Sequence, residues 1–543
     1  MRLVVDLTRC QGYAQCAFLA PDVFSMRGNE SLTYDAEPDD RQRDRILRAA
    51  AACPVQAILL DRLDGGAAPG GTAAVPTRAR STSTRPRVER IVIVGASLAG
   101  LRAAVTLRAE GFTGTLTVIG DERHAPYDRP PLSKHVLTGR VPAQRTSLPR
   151  TEGIDARWML GSPAARLDIG AKEVVLADGR RVGYDRVLIA TGVRARPWPN
   201  PTEAALDGVF VLRTRDDATV LRRRLGAEPR RVLVIGAGFT GSEIASDCCD
   251  LGIPVTVAER GPTPLVGALG GVIGATAARM QRKHGVDLRC GVTVTALEGD
   301  ADGRLRRAKL SDGSVLDVDV AVAALGAIRN VEWLHDSGLA AGAWGVACDA
   351  GCRAFDVNGL VTDDVFVAGD VARFPHPIYD YQLLALEHWG NAVTQAEVAA
   401  HNMLSAETER WPHLSLPVFW STQFGIEIKS VGVPTYADEL VITQGALDGD
   451  GFVAAYGYQG RITAAVCFDQ AKWLDFYARL IERRAAFPPD FHAVDQPDTL
   501  APVSAEIPDQ TLPSHVATVL VTGHQPSDRR ATLVHGGEPS GGL

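Results

Sequence analysis

Apolar residues in this chain gather into short unbroken runs, and several of the runs end at a glycine turn. Ile91-Val92-Ile93-Val94, Val187-Leu188-Ile189-Ala190 and Val232-Leu233-Val234-Ile235 show no apolar–polar alternation. Each predicts a strand buried on both faces, as in a parallel sheet covered by helices. Leu116–Ile119, Val255-Thr256-Val257-Ala258 and Val365-Phe366-Val367 extend that α/β reading across residues 88–487. Ahead of it, Leu3-Val4-Val5 and Ala57-Ile58-Leu59-Leu60 predict strands flanking a helical stretch at 40–51, a small unit over residues 1–63. Residues 64–87 are Gly, Ala, Pro, Ser and Thr without apolar periodicity and read as a flexible linker. Residues 488–543 read as a mostly disordered tail, with one short strand at Val516–Thr522.

Composition narrows the class. A length of 543 residues suggests three or four domains at about 150 residues each. Hydrophobic residues at 45% and charged residues at 22% suit packed cores and exclude a disordered chain. The 57 basic residues against 64 acidic ones leave a net charge of −7, which offers nucleic acid no general attraction. There is no long apolar run to span a membrane and no apolar leader after MRLVVDLTRC, so the expected location is the cytoplasm. The nine cysteines, an odd number, do not read as a disulfide framework.

Three of those cysteines fall early, as Cys10-x2-Tyr13-x2-Cys16 and then Cys53-Pro54. Ferredoxins with the spacing C-x2-C-x2-C and a distant C-P place four thiolates around a [4Fe–4S] cluster. Tyr13 takes the second position, leaving three thiolates, which suits a [3Fe–4S] cluster; a [4Fe–4S] cluster with a non-thiolate fourth ligand is the alternative. The segment, including Ala20-Pro21-Asp22-Val23-Phe24, resembles the single-cluster ferredoxins that feed actinobacterial cytochromes P450. Glu30, Asp35, Glu37, Asp39 and Asp40 form an acidic loop that reads first as solvated surface and second as a dock for a basic partner.

Two glycine fingerprints follow. Gly95-Ala96-Ser97-Leu98-Ala99-Gly100 sits between a strand and a helix, with Asp121 or Glu122 at the end of the next strand to bind a ribose hydroxyl. Gly236-Ala237-Gly238-Phe239-Thr240-Gly241 is the stronger copy, and Glu259 ends its next strand. A carboxylate there accepts a ribose 2′-hydroxyl and repels a 2′-phosphate, so NADH is expected over NADPH, although Arg260 softens the rejection.

Ala190-Thr191-Gly192 and Ala368-Gly369-Asp370 resemble the paired motifs of two-dinucleotide flavoproteins. Tyr127-Asp128-Arg129-Pro130-Pro131-Leu132-Ser133-Lys134, Leu212-Arg213-Thr214, Glu387-His388-Trp389-Gly390-Asn391-Ala392 and Pro417-Val418-Phe419-Trp420-Ser421 resemble NADH:ferredoxin reductases of the putidaredoxin and rhodocoxin reductase type.

That resemblance implies an α+β ferredoxin-like unit joined to a glutathione-reductase-like α/β flavoprotein. FAD binds at residues 88–205 and 326–415, NADH at 206–325, and a C-terminal α+β domain spans 416–487. By the same resemblance Arg129 approaches the FAD pyrophosphate, Asp370 holds the ribityl chain, and Lys134 lies near flavin N5. Glu243 pairs with Lys134 or holds the nicotinamide amide. Glu387 and Trp389 border the nicotinamide, Trp420 and Gln423 cover the flavin, and a helix starting near Gln382 points its N-terminus at the flavin's N1/O2 edge. Hydride is expected to pass from NADH to FAD, then single electrons to the tethered cluster, and onward to an external cytochrome P450 or other oxygenase. The rivals are a partner-independent NADH oxidase or peroxidase and a non-enzymatic NADH-sensing flavoprotein. A disulfide reductase reading fails because no cysteine lies between 54 and 247. Cys248-Cys249 and the Cys348-x3-Cys352 pair read as structural.

Overall fold

The computed structural model describes residues 1–28, 30–53, 55–60, 88–149, 154–490, 501–508, 517–522 and 530–535. The linker expected at 64–87, Pro54, and much of the tail lie outside the described residues.

The N-terminal unit pairs Leu3–Val5 antiparallel with Ile58–Leu60, and Phe24–Arg27 with Ser31–Tyr34. Helix Arg43–Ala52 buries Ile46 and Ala49, three apart on one face, against Leu3, Val5, Phe24 and Leu32. So small a core needs help from a metal or a neighbour, and the unit has a neighbour. Val4 is buried with Leu101 and Leu148 of the larger body. Arg27 pairs with Asp250 at 2.9 Å, and the Glu30 carboxylate accepts the Ala471 N–H at 2.9 Å. Asp35 lies 3.6 Å from Arg145. Two members of the acidic loop thus dock on the chain's own larger body, and the expectation of a mainly solvated loop is corrected at those positions. The expected leash is accompanied by a seat.

The unbroken apolar runs become the centres of two parallel sheets. One runs Arg353–Phe355, Val361–Val367, Arg186–Ile189, Arg90–Val94, Thr115–Ile119, Arg157–Met159, with parallel pairing from Val361–Val367 onward. Helices Leu98–Ala109 and Trp389–Leu404 pack together over it. The second sheet runs Val209–Phe210, Val320–Ala323, Val232–Ile235, Val255–Glu259, Asp287–Cys290, parallel throughout. The glycine turns therefore fall at the carboxyl ends of central strands, where α/β sheets open a crevice.

A C-terminal antiparallel sheet orders Val418–Gln423, Ile426–Gly432, Arg461–Phe468, Phe452–Tyr458, Glu439–Gly445 and Val503–Ser504. Its last member adds a strand to a tail for which the sequence predicts one alone, at Val516–Thr522. Val503–Ser504 pairs antiparallel with the outer side of strand Glu439–Gly445, at Leu440 and Glu439. Ala517–Thr522 and Arg530–His535 also pair antiparallel, and the Leu533 N–H donates to the Gly359 carbonyl at 3.0 Å. A second correction concerns the helix expected near Gln382. Asp380 and Tyr381 stand at φ 51 and 58, which breaks a right-handed helix, and Leu383–Leu384 is a strand. The helix begins at Trp389, with His388 at its N-cap position and no side-chain capping bond.

Candidate functional site

At the first turn, Gly95 stands at φ +124, and a Cβ there would overlap the Ala190 carbonyl oxygen. Gly100 lets the helix press on the Gly95 carbonyl. Ser97 caps helix Leu98–Ala109 without any side-chain hydrogen bond, so its first-turn amides are left for an anion. They face a cavity of about 470 Å³ lined by Gly95, Ser97, Asp121, Glu122, Arg129 and Thr191. Through Ser97, Arg129, Ala190 and Thr191 it joins a cavity of about 240 Å³. That second space holds Leu98, Ala99, Lys134, Gly192, Glu243, Gly369, Asp370, Glu387, Trp389 and Trp420. An uncapped helix terminus, a close-packed turn and a long two-part crevice fit a dinucleotide carrying a ring system.

At the second turn Gly236 has φ +101 and presses on the Ala324 carbonyl, Gly241 presses on Gly236, and the Gly238 position faces open space. Gly238 likewise caps helix Phe239–Asp250 without a side-chain bond. A cavity of about 540 Å³ lies over it, lined by Gly238, Phe239, Thr240, Gly241, Glu387 and His388. It meets the first crevice at Phe239, Thr240 and Glu387. Two nucleotide-sized spaces thus converge where a hydride would cross. Glu259 uses both carboxylate oxygens on its own loop, accepting from the Ala237 and Gly261 amides at 2.6 Å each.

Charges in the crevice are paired. Lys134 Nζ lies 2.9 Å from Glu243, whose oxygens also accept the Ser133 and Ser421 hydroxyls at 2.5 and 2.6 Å. Arg129 reaches Glu122 at 2.6 Å, and Arg213 meets Asp370 at 2.7 Å. Glu387 meets Arg329 at 2.5 Å. Trp389 Nε1 donates to Asp128 at 2.9 Å, and Tyr34 of the N-terminal unit hydrogen-bonds the same carboxyl. Burial pushes the Asp128 carboxyl up to about 6, against the pull of these two bonds and of Lys134. Gln423 is fully buried, bonds Ser421, and lines neither crevice, so its expected place over the flavin is corrected. Asp128, Arg213, Phe419 and Ser421 were missed as site residues, though all four lie inside the motifs quoted above. Cys248, Cys348 and Cys352 are buried in hydrophobic cores.

Cys10, Cys16 and Cys53 are free thiols of the N-terminal unit, each half-buried. Burial first, and the charge of Cys10 second, push Cys16 up to about 11, and Cys53 acts on both. The three therefore share one electrostatic neighbourhood. Among the described residues no three side chains form a single-ion site. Tyr13 is 54% exposed and its hydroxyl donates to Gln11 at 2.8 Å. Three convergent soft donors and an exposed tyrosine fit an extended inorganic cluster held by three thiolates.

Lys429 joins this unit to the crevice. Its ammonium donates to the Cys10 carbonyl oxygen and lies 3.6 Å from Glu427. Lys429 is the register partner of Trp420, which lines the inner cavity. Thr8 packs on Gly390, the neighbour of Trp389. Cys10 thus rests on the strand that pairs with that of Trp420, and Thr8 on the helix that carries Trp389.

Comparison with known proteins matches residues 89–396 to the pyridine nucleotide-disulphide oxidoreductase family model. Residues 418–501 match a reductase C-terminal model, and residues 5–60 a 4Fe-4S single cluster domain of ferredoxin I. Rhodocoxin reductase of Rhodococcus erythropolis is 35% identical over 361 residues, 66% of this chain and 81% of its own. Putidaredoxin reductase of Pseudomonas putida is 31% identical over 404 residues, 71% of this chain and 91% of its own. The crystal structure of a covalent putidaredoxin reductase–putidaredoxin complex superposes with TM-score 0.68 at 28% identity, covering 73% of this chain and 93% of that one.

Proposed function

The chain belongs to the pyridine nucleotide-disulphide oxidoreductase family, and from that premise we propose that it is a self-contained NADH-dependent ferredoxin reductase. In this reading electrons pass from NADH through FAD to the chain's own iron–sulfur cluster and then to an external oxygenase, of which a cytochrome P450 is the preferred case. The observation that carries it is the seat: Cys10 rests on Lys429, and Lys429 stands opposite Trp420 of the inner cavity.

Bound FAD supplies a two-electron hydride acceptor that releases its electrons singly. The chain's residues do the rest. Gly95, Ser97 and Gly100, with the uncapped helix behind them, hold the pyrophosphate, and Arg129 neutralises it. Asp121 or Glu122 takes the adenosine ribose, and Asp370 the ribityl chain. Gly236, Gly238, Phe239, Thr240 and Gly241 hold the nicotinamide dinucleotide, and Glu259 favours NADH once its loop amides release an oxygen to the ribose. Lys134, paired with Glu243, presents a cation to the flavin's N5 edge. Trp389 and Trp420 exclude water between the flavin and the cysteines. Helix Trp389–Leu404 starts at the crevice, and its N-terminal dipole favours negative charge there.

Three thiolates and an exposed Tyr13 favour a [3Fe–4S] cluster. Anaerobic stopped-flow mixing with NADH tests the relay: flavin absorbance should fall first and cluster absorbance next. Flavin bleaching with an unchanged cluster would refute it and favour an oxidase. EPR of the resting protein tests the cluster: an oxidised-state signal supports three irons, and silence until reduction supports four.

A further inference from the structure

The relay accounts for the two electrons of each NADH but leaves its proton. Oxidation by single-electron acceptors follows NADH → NAD⁺ + H⁺ + 2e⁻, so one proton per turnover must leave a crevice walled by tryptophans. Helix Phe239–Asp250 carries a route. Glu243, Asp247 and Asp250 are spaced four and three residues apart and so share one face. Glu243 lines the inner cavity with Lys134. Asp247 is only 5% exposed, and among the described residues its Oδ2 has no hydrogen-bond partner. Asp250 pairs with Arg27 of the N-terminal unit and borders a cleft of about 360 Å³ at the seam, with Gly28, His284 and Phe424.

We propose that Glu243, Asp247 and Asp250 form a proton exit from the flavin crevice to the seam beneath Arg27, with Asp247 as its intermediate carboxylic acid. This inference rests on the relay above. A proton arriving at the Lys134–Glu243 pair forms a new O–H bond on Asp247 as the existing O–H proton leaves toward Asp250 and water in the cleft. Four charged groups face Asp247: Glu243 and Asp250 on its own helix, Lys134 from the turn after Pro130–Ser133, and Arg27 from across the seam. Burial first, then the two carboxylates, hold its carboxyl well above the usual range, while Lys134 and Arg27 pull it down. Because Arg27 belongs to the seated unit, the exit is complete only when the cluster is in place to take the electrons.

The test uses the full-length holoenzyme in two readouts. The resting wild-type protein should show the infrared carbonyl stretch of a protonated carboxyl that Asp247→Asn removes. With NADH and excess cytochrome c as one-electron acceptor under anaerobic conditions, a pH-indicator dye should report one proton released per NADH in step with electron flow through the cluster. Asp247→Asn should leave flavin bleaching unchanged and slow proton release and cluster reduction by about a hundredfold. Asp247→Glu, which keeps the acid, should restore both, whereas a purely structural defect would persist. Absence of the band in the wild type, or unchanged proton release in Asp247→Asn, overturns the exit. Failure of NADH to reduce the wild-type cluster overturns the relay instead, and the infrared readout is independent of it.

Discussion

Replacing Lys429 with methionine keeps the volume of the side chain and removes its charge. Lys429 and Glu427 are 1% and 3% exposed, and their charged atoms lie 3.6 Å apart. After the change Glu427 keeps the Thr422 hydroxyl at 2.8 Å but loses its cation, and the Cys10 carbonyl loses its donor. Removing one partner of a buried ion pair costs about 3–5 kcal/mol, most of it the desolvation of the charge left behind. The chain can limit that loss by lifting the N-terminal unit and letting water reach Glu427. The cost therefore appears as unseating more than as global unfolding. We expect Lys429→Met to lower the denaturant midpoint of a probe on the N-terminal unit and to slow cluster reduction after a normal flavin phase. The double variant Lys429→Met/Glu427→Gln, with no charge left to desolvate, should recover most of the stability. Chemical denaturation followed by cluster absorbance, paired with stopped-flow, reads both effects. A loss below about 1 kcal/mol with an unchanged electron hand-off would refute the reasoning, since that is the range of an exposed pair.

Three further outcomes follow from the same geometry. Gly95→Ala should abolish FAD retention during purification, because its Cβ overlaps the Ala190 carbonyl and φ +124 disfavours a side chain; flavin content by absorbance checks it. The Asp128 carboxyl, raised to about 6, favours the native state fully below the ordinary carboxylate range near 3.9, and this contribution fades as pH rises through about 6. Asp128→Asn should therefore flatten the melting temperature across that window, and a melting curve still falling as in the wild type would count against it. Glu259→Ala removes the acceptor of two backbone amides and the expected ribose partner, so NADH kcat/KM should fall by about tenfold or more while NADPH gains relative to it; steady-state kinetics with both nucleotides decides.

Much of this protein was legible before any fold was known, because its signals are local. The runs at 91–94, 187–190 and 232–235 are apolar whatever surrounds them, and a tight turn that must approach a neighbouring carbonyl admits only glycine at 95 and 236. The Cys10, Cys16 and Cys53 pattern is likewise a property of spacing. Tertiary structure decided what depends on neighbours distant in the chain. The helix expected near Gln382 starts seven residues later because Asp380 and Tyr381 turn left-handed and Leu383–Leu384 pairs with Phe374–Pro375. Residues 503–504 pair with residues 439–440, and Ala505 and Glu506 just beyond them pack on Leu269 and Gly271, partners far away in the chain. Lys429 stands two residues from Glu427 on strand Ile426–Gly432, so the strand alone puts both on one face; only the fold buries the pair and brings the Cys10 carbonyl to it. The cofactor turns belong to the sequence because backbone sterics act over a few residues. The seat of the cluster belongs to the structure because desolvation and charge pairing are settled by whatever the chain folds against.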